Sequence, residues 1–168
     1  MSAVAEADLV AVGRQLGRPA RDVVRVAARC VCGAPTVVAT RPRLADGTPF
    51  PTFYYLTHPA ATAAASRLEA AGRMAEYQAL LADDVADAYR RAHETYISDR
   101  EVYGVVPEIA GISAGGMPDR VKCLHVLAGQ ALAQGRGVNP LGDEVLDLLG
   151  DWWASGPCVS PDPVQRQS

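Results

Sequence analysis

The side chains best suited to chemistry in this chain are four cysteines and three histidines: Cys30, Cys32, Cys123, Cys158, His58, His93 and His125. Thiolates and neutral imidazoles are the donors that zinc prefers, and iron–sulfur clusters are held mainly by cysteine. Cys30-x-Cys32 lacks the two-residue spacing of a zinc knuckle, so spacing alone declares no site. The plain alternative is that free cysteines fill the core as small hydrophobes. His58 stands where a helix is expected to begin. The positive end of the helix dipole disfavours imidazolium there and leaves a neutral ring able to bind metal, with a capping or surface histidine as the alternative. Cys123 and His125 lie two residues apart in an expected helix. At about 100° per residue they point apart, so one ion can meet both only if the first turn is irregular. A thiol enzyme built on Cys123, near His125 or His93, is a further reading, because a catalytic thiolate needs a cationic setting and exposure.

Other features carry weaker chemistry. Gly115-Gly116-Met117-Pro118 precedes an expected helix bearing Arg120 and Lys122, an arrangement that could seat an anion on free backbone N–H groups. It matches no phosphate-loop fingerprint, and an ordinary loop-to-helix entry is the alternative. No His-Glu-x-x-His occurs, and Asp83-Asp84 reads as a solvated helix face. Cys158 falls in a polar terminal stretch and makes a poor catalytic candidate.

These residues must be positioned by the surrounding elements. Leu9, Val12 and Leu16 share a face of a helix over 6–16, ended by Gly17 and Pro19. The run 23–31 alternates as a strand, with Val24, Val26, Ala28, Cys30 and Cys32 facing inward and Arg25 and Arg29 toward water. Thr36 to Arg41 reads as a second strand, Asp46-Gly47 as a tight turn, and Phe50 to Leu56 as a third strand with Pro51 near its start. Thr57 is the expected N-cap of a helix over 58–71, which Gly72 interrupts. A longer helix over 73–100 presents Leu81, Val85, Tyr89, Ala92 and Tyr96, at spacings of four, four, three and four. His93 and Arg90 lie beside that stripe, where lining a pocket competes with a structural role. Further helices are expected over 118–134 and 142–153. The order predicts an α+β fold, in which a small three-stranded antiparallel meander packs on one face against four to five helices. Residues 1–154 form one domain and 155–168 a disordered tail.

Composition sets the outer bounds. The chain has 168 residues, 49% of them apolar and 21% charged, which suits an ordinary globular domain with its own core. A net charge of −3, from 16 basic and 19 acidic residues, gives no global attraction to nucleic acid. No run approaches the roughly 18 apolar residues of a membrane span. Met1–Ala7 lacks the basic start and apolar core of a secretory signal. A cytoplasmic protein with reduced cysteines is therefore expected.

Four ordered runs carry a family resemblance: Cys30–Val38 (CVCGAPTVV), Thr48–Pro59 (TPFPTFYYLTHP), Arg90–Arg100 (RRAHETYISDR) and Gly115–His125 (GGMPDRVKCLH). Over about 18–150 the chain resembles the largely actinobacterial family known as domain of unknown function 501. The resemblance implies no activity. It implies a cysteine at Cys30, a Lys-Cys-Leu-His string at Lys122–His125, and cysteine in many relatives where this chain has His58. A position shared by cysteine and histidine is one that a metal ligand tolerates. The expected ligands are thus Cys30, His58 and Cys123, with Cys32 or His125 as the fourth. Arg90, His93 and Lys122 would line the pocket, and Gly115, Gly116 and Arg120 form a separate anion seat. Zinc and, alternatively, an iron–sulfur cluster are the cofactors such ligands would hold, and no cofactor, in a metal-free interaction module, is an equal alternative.

Overall fold

A computed structural model describes residues 3–154, together with Gly156, Cys158 and Val159. The first helix, α1, spans Glu6–Leu16, with Glu6 and Asp8 in its first turn and Gly17 closing it in the left-handed conformation at φ 71°. Three strands follow: β1 (Val23–Arg29), β2 (Pro35–Thr40) and β3 (Tyr54–Leu56). They form one antiparallel sheet in the order β1-β2-β3, the expected meander. The later helices are α2 (Pro59–Ala70), α3 (Arg73–Ala79), α4 (Asp83–Glu101), α5 (Leu124–Gln134) and α6 (Pro140–Leu149), with single 3-10 turns at Pro107–Ile109 and Trp152–Ala154. The protein is an α+β fold.

The sheet is covered more fully than a one-sided packing predicts. All six residues of β2 are buried, and successive strand residues point to opposite faces, so both faces are covered. Helices α1 and α5 both contact β2, and α5 lies mainly on β3. Fully buried Phe53, Tyr54, Tyr89, Tyr96, Leu124 and Leu127 centre the core between the sheet and the helices.

Several boundaries depart from the sequence pattern for identifiable reasons. Three register shifts interrupt the β1–β2 ladder, so strict alternation fails and Arg25, expected toward water, is half-buried and donates to the Tyr54 hydroxyl. Strand β1 stops at Arg29, because the Cys30 amide donates to the Ala34 carbonyl and the Gly33 amide to the Cys30 carbonyl, closing a turn with Gly33 at φ 90°. Strand β3 is short, since the Phe53 and Tyr54 amides donate to the Tyr96 hydroxyl at 2.7 and 3.1 Å. Arg100, also buried, donates to the Pro51 and Ile109 carbonyls and fixes the same segment. The long helix expected over 73–100 is two, α3 and α4, broken at Leu80–Ala82, with Asp83 at φ 47°. No helix starts at Pro118: the Arg120 and Lys122 amides bond back to the Gly116 and Gly115 carbonyls, and α5 begins only at Leu124. The last helix also runs earlier than expected, from Pro140. Of the segment 155–168, expected to be a tail, all but Gly156, Cys158 and Val159 lie outside the described residues. Among the described residues no helix is long and apolar enough to cross a membrane.

Candidate functional site

Among the described residues, five of the cysteines and histidines gather into two groups. In the first, ligand atoms of Cys30, His58 and Cys158 lie within 4.8 Å of one another. Cys30 leaves the end of β1 and is buried by the turn that follows. His58, fully buried, is the N-cap of α2 in place of the expected Thr57: its Nδ1 accepts the Ala60 amide at 3.2 Å. Its Nε2 is buried and finds no hydrogen-bond partner among the described residues. The ring packs edge-on against Trp152, with centroids 4.7 Å apart. Burial holds the imidazole below its ordinary titration range and so keeps it neutral. Cys158 arrives from the C-terminal segment, its Sγ 3.5 Å from the Cys30 Sγ, while Gln15 of α1 donates to its carbonyl at 2.6 Å. Cys32 is exposed on the turn. The Ala34 amide, then the Cys158 and Cys30 thiols, hold its thiol below the usual range. Cys158 is pushed up to about 12 by Cys32, by burial and by Cys30. The three thiols thus sense one another.

The second group lies further along α2, beside Thr62, Ser66 and Glu69, with Glu69 roughly 16 Å along the helix from His58 at about 1.5 Å per residue. Here Glu69, Cys123 and His125 come together. Cys123 is the extended residue preceding α5, and its side chain makes no cap bond. Its Sγ lies 3.9 Å from His125 Nδ1. That nitrogen is 2.9 Å from Glu69 Oε1, which also accepts the Leu124 amide at 2.8 Å. His125 Nε2 faces the Thr62 carbonyl at 3.2 Å and Ser66 Oγ at 3.1 Å. With a carboxylate on one side and a carbonyl on the other, both nitrogens are placed to donate. The Cys123 sulfur and the Glu69 carboxylate outweigh desolvation and raise His125 to about 9, so the ring is an imidazolium at neutral pH. A cleft of about 330 Å³ opens beside this group, walled by Thr52, Tyr54, Tyr55, Leu56 and Val126.

The irregular approach to α5 brings Cys123 and His125 to one place, which a regular helix would not, but that place is not beside Cys30 and His58. Arg90 and His93 join neither group. His93 Nδ1 is 2.7 Å from Ser113 Oγ, and Arg90 pairs loosely with Asp119 at 3.4 Å on the surface. Lys122 is exposed. The Gly115–Gly116 loop lacks the helix start that the anion seat required. Its geometry is a packing demand instead: a Cβ on Gly116, at φ 91°, would meet the Arg120 carbonyl oxygen at 2.8 Å. Arg120 itself is exposed, and its carbonyl accepts the Tyr89 hydroxyl. Two group members were not anticipated from sequence, Cys158 and Glu69. Trp152-Trp153, just ahead of Cys158, is an aromatic signal that the C-terminal segment docks, whereas nothing local marks Glu69.

No curated protein and no solved structure matches the chain. Residues 26–147 match the family described as protein of unknown function (DUF501), a span that contains every member of both groups except Cys158, and the chain belongs to that family.

Proposed function

We propose that the protein binds one zinc ion through Cys30, His58 and Cys158, with Cys32 as the fourth donor. The observation that carries this reading is the fully buried His58, whose Nε2 has no partner among the described residues while two thiols lie within 4.8 Å of its ring. A buried polar atom left unpaired costs free energy unless something engages it. Two thiolates on a tetrahedral zinc, with Zn–S near 2.3 Å, stand about 3.8 Å apart. The Cys30–Cys158 separation of 3.5 Å is close to that, and far from the roughly 2.05 Å of a disulfide. Three thiols and one imidazole suit a single zinc better than a multi-iron cluster, which prefers cysteine throughout.

Binding sets a condition on His58. Its Nδ1 now accepts a hydrogen bond, so the neutral ring carries its proton on Nε2. A cation at Nε2 requires that proton on Nδ1, which then ceases to cap α2. Four protein donors close the coordination sphere, so the ion would be structural, tying the end of β1, the start of α2 and the C-terminal segment together.

Elemental analysis of untagged protein tests this, with one zinc per chain as the expected result. Cys158→Ser and His58→Asn should each lose zinc and thermal stability together, because binding free energy is folding free energy at such a site. A folded, stable wild type without metal would overturn the reading. The cysteines would then be core residues of a metal-free interaction module, and Cys30→Ala would cost only about 1–3 kcal/mol of packing.

A further inference from the structure

We propose that Cys123 is a nucleophile that takes an acyl group from a small, uncharged acyl donor seated in the cleft beside it. The site is independent of the zinc reading, since it shares no residue with Cys30, Cys32, His58 or Cys158.

Geometry supplies the parts. Cys123 lies in extended backbone ahead of α5 and spends its side chain on no cap bond. Cys123 is the N-cap residue of an eleven-residue helix, at the positive end of its dipole. His125 stands 3.9 Å away, anchored through Nδ1 by Glu69 and through Nε2 by Thr62 and Ser66. Glu69 is held in turn by the Leu124 amide, so the ring is oriented by a carboxylate that is itself oriented. A nucleophile, a proton-bearing ring and an orienting carboxylate are the three roles of thiol acyl transfer. Their order is unusual, because sulfur and carboxylate address the same nitrogen.

The cleft defines the donor. Its volume of about 330 Å³ lies at the small end for a ligand site, and apart from His125 its walls are aromatic, aliphatic or hydroxyl-bearing. Nothing there offers a counter-charge to an anionic donor beyond the imidazolium that the chemistry itself uses. A short, neutral acyl ester fits that description.

Thiol and imidazole share one proton, and in the charge-separated form the sulfur is a thiolate and the ring an imidazolium. The sulfur electron pair forms the S–C bond to the acyl carbon. The bond from that carbon to the leaving oxygen breaks with its electron pair on oxygen, which takes the Nδ1 proton of His125. The products are a thioester on Cys123, a free alcohol and a neutral His125. Glu69 acts as a positioning residue.

The test uses full-length protein as purified and p-nitrophenyl acetate as the probe. One equivalent of nitrophenolate per chain should appear in a burst, with a single acetyl group located on Cys123 by peptide mass spectrometry. Its rate at neutral pH should exceed that of N-acetylcysteine by at least about tenfold, as for other cysteines held beside a cation. Cys123→Ser should abolish the burst. His125→Gln should slow it by about 10²-fold or more, the usual contribution of a proton-transferring group. Glu69→Gln should move the alkaline limb of the rate–pH profile to lower pH, a change that loss of structure alone does not produce, and Glu69→Asp should restore part of the shift. A wild-type Cys123 that reacts no faster than N-acetylcysteine, or an acetyl group carried on Cys32 instead, overturns the proposal.

Discussion

His125 holds a proton that its surroundings reward. Its titration is raised from 6.5 to about 9 by the Cys123 sulfur and the Glu69 carboxylate. A group whose folded-state value is raised contributes stability that is complete below its unfolded value and is lost as pH rises through the folded one. The melting temperature should therefore decline as pH rises through about 9, and His125→Gln should flatten that decline. His93 works with the opposite sign. Burial lowers its value below 6.5, so its contribution is present above 6.5 and fades as the solution is acidified. A melting series on His93→Gln checks this: the variant should lose less stability than the wild type on moving to acid. Neither sign could be read from residue type, because both rings lie on helices in similar company in the sequence. Only the partners, a carboxylate and thiol for one and a serine hydroxyl for the other, separate them.

Helices α5 and α6 approach unusually closely, and Gly142 allows it. A Cβ there would meet the Leu127 carbonyl oxygen at 2.5 Å and the Ala131 Cβ at 3.0 Å. Gly142→Ala should destabilise the protein by about 1–3 kcal/mol in denaturant unfolding despite the higher helix propensity of alanine. Asn139 reinforces the same junction, since its buried side chain caps α6 through the Gly142 amide and donates to Gln130. The elements with regular apolar spacing were legible in the sequence: α1 appears at its expected bounds, and Tyr89, Ala92 and Tyr96 of α4 are buried as their spacing requires. What the pattern could not show were amides satisfied over long distances. Tyr96 takes the amides that would have extended β3, and Gln78 of α3 accepts the Val121 amide in the run that imitates the first turns of α5. For the candidate sites, the sequence suggested one site holding Cys30, His58 and Cys123, whereas the structure groups Cys30 with His58 and Cys123 with His125. Residue order offered no means of telling one cluster from two, because the division depends on the length of α2 between them.

On the scale of the whole molecule, the N-terminal helix and the C-terminal segment meet over the sheet. Gln15 of α1 donates at once to the Pro35 carbonyl of β2 and the Cys158 carbonyl, a contact spanning 143 residues. Gln15→Ala leaves both carbonyls short of a donor and should cost about 1–3 kcal/mol. It should also weaken zinc binding while leaving the acylation of Cys123 unchanged, which zinc titration and the ester burst on one preparation would check. The pairing of Cys30 with Cys158 has a consequence for how the chain is made. The two sulfurs are 128 residues apart, and a ribosome adding about 5–20 residues per second needs roughly 6–26 s to travel from one to the other. Through that interval the nascent chain carries Cys30 with Cys32 as its near thiol, so the proposed zinc site would be completed only when the C-terminal segment docks.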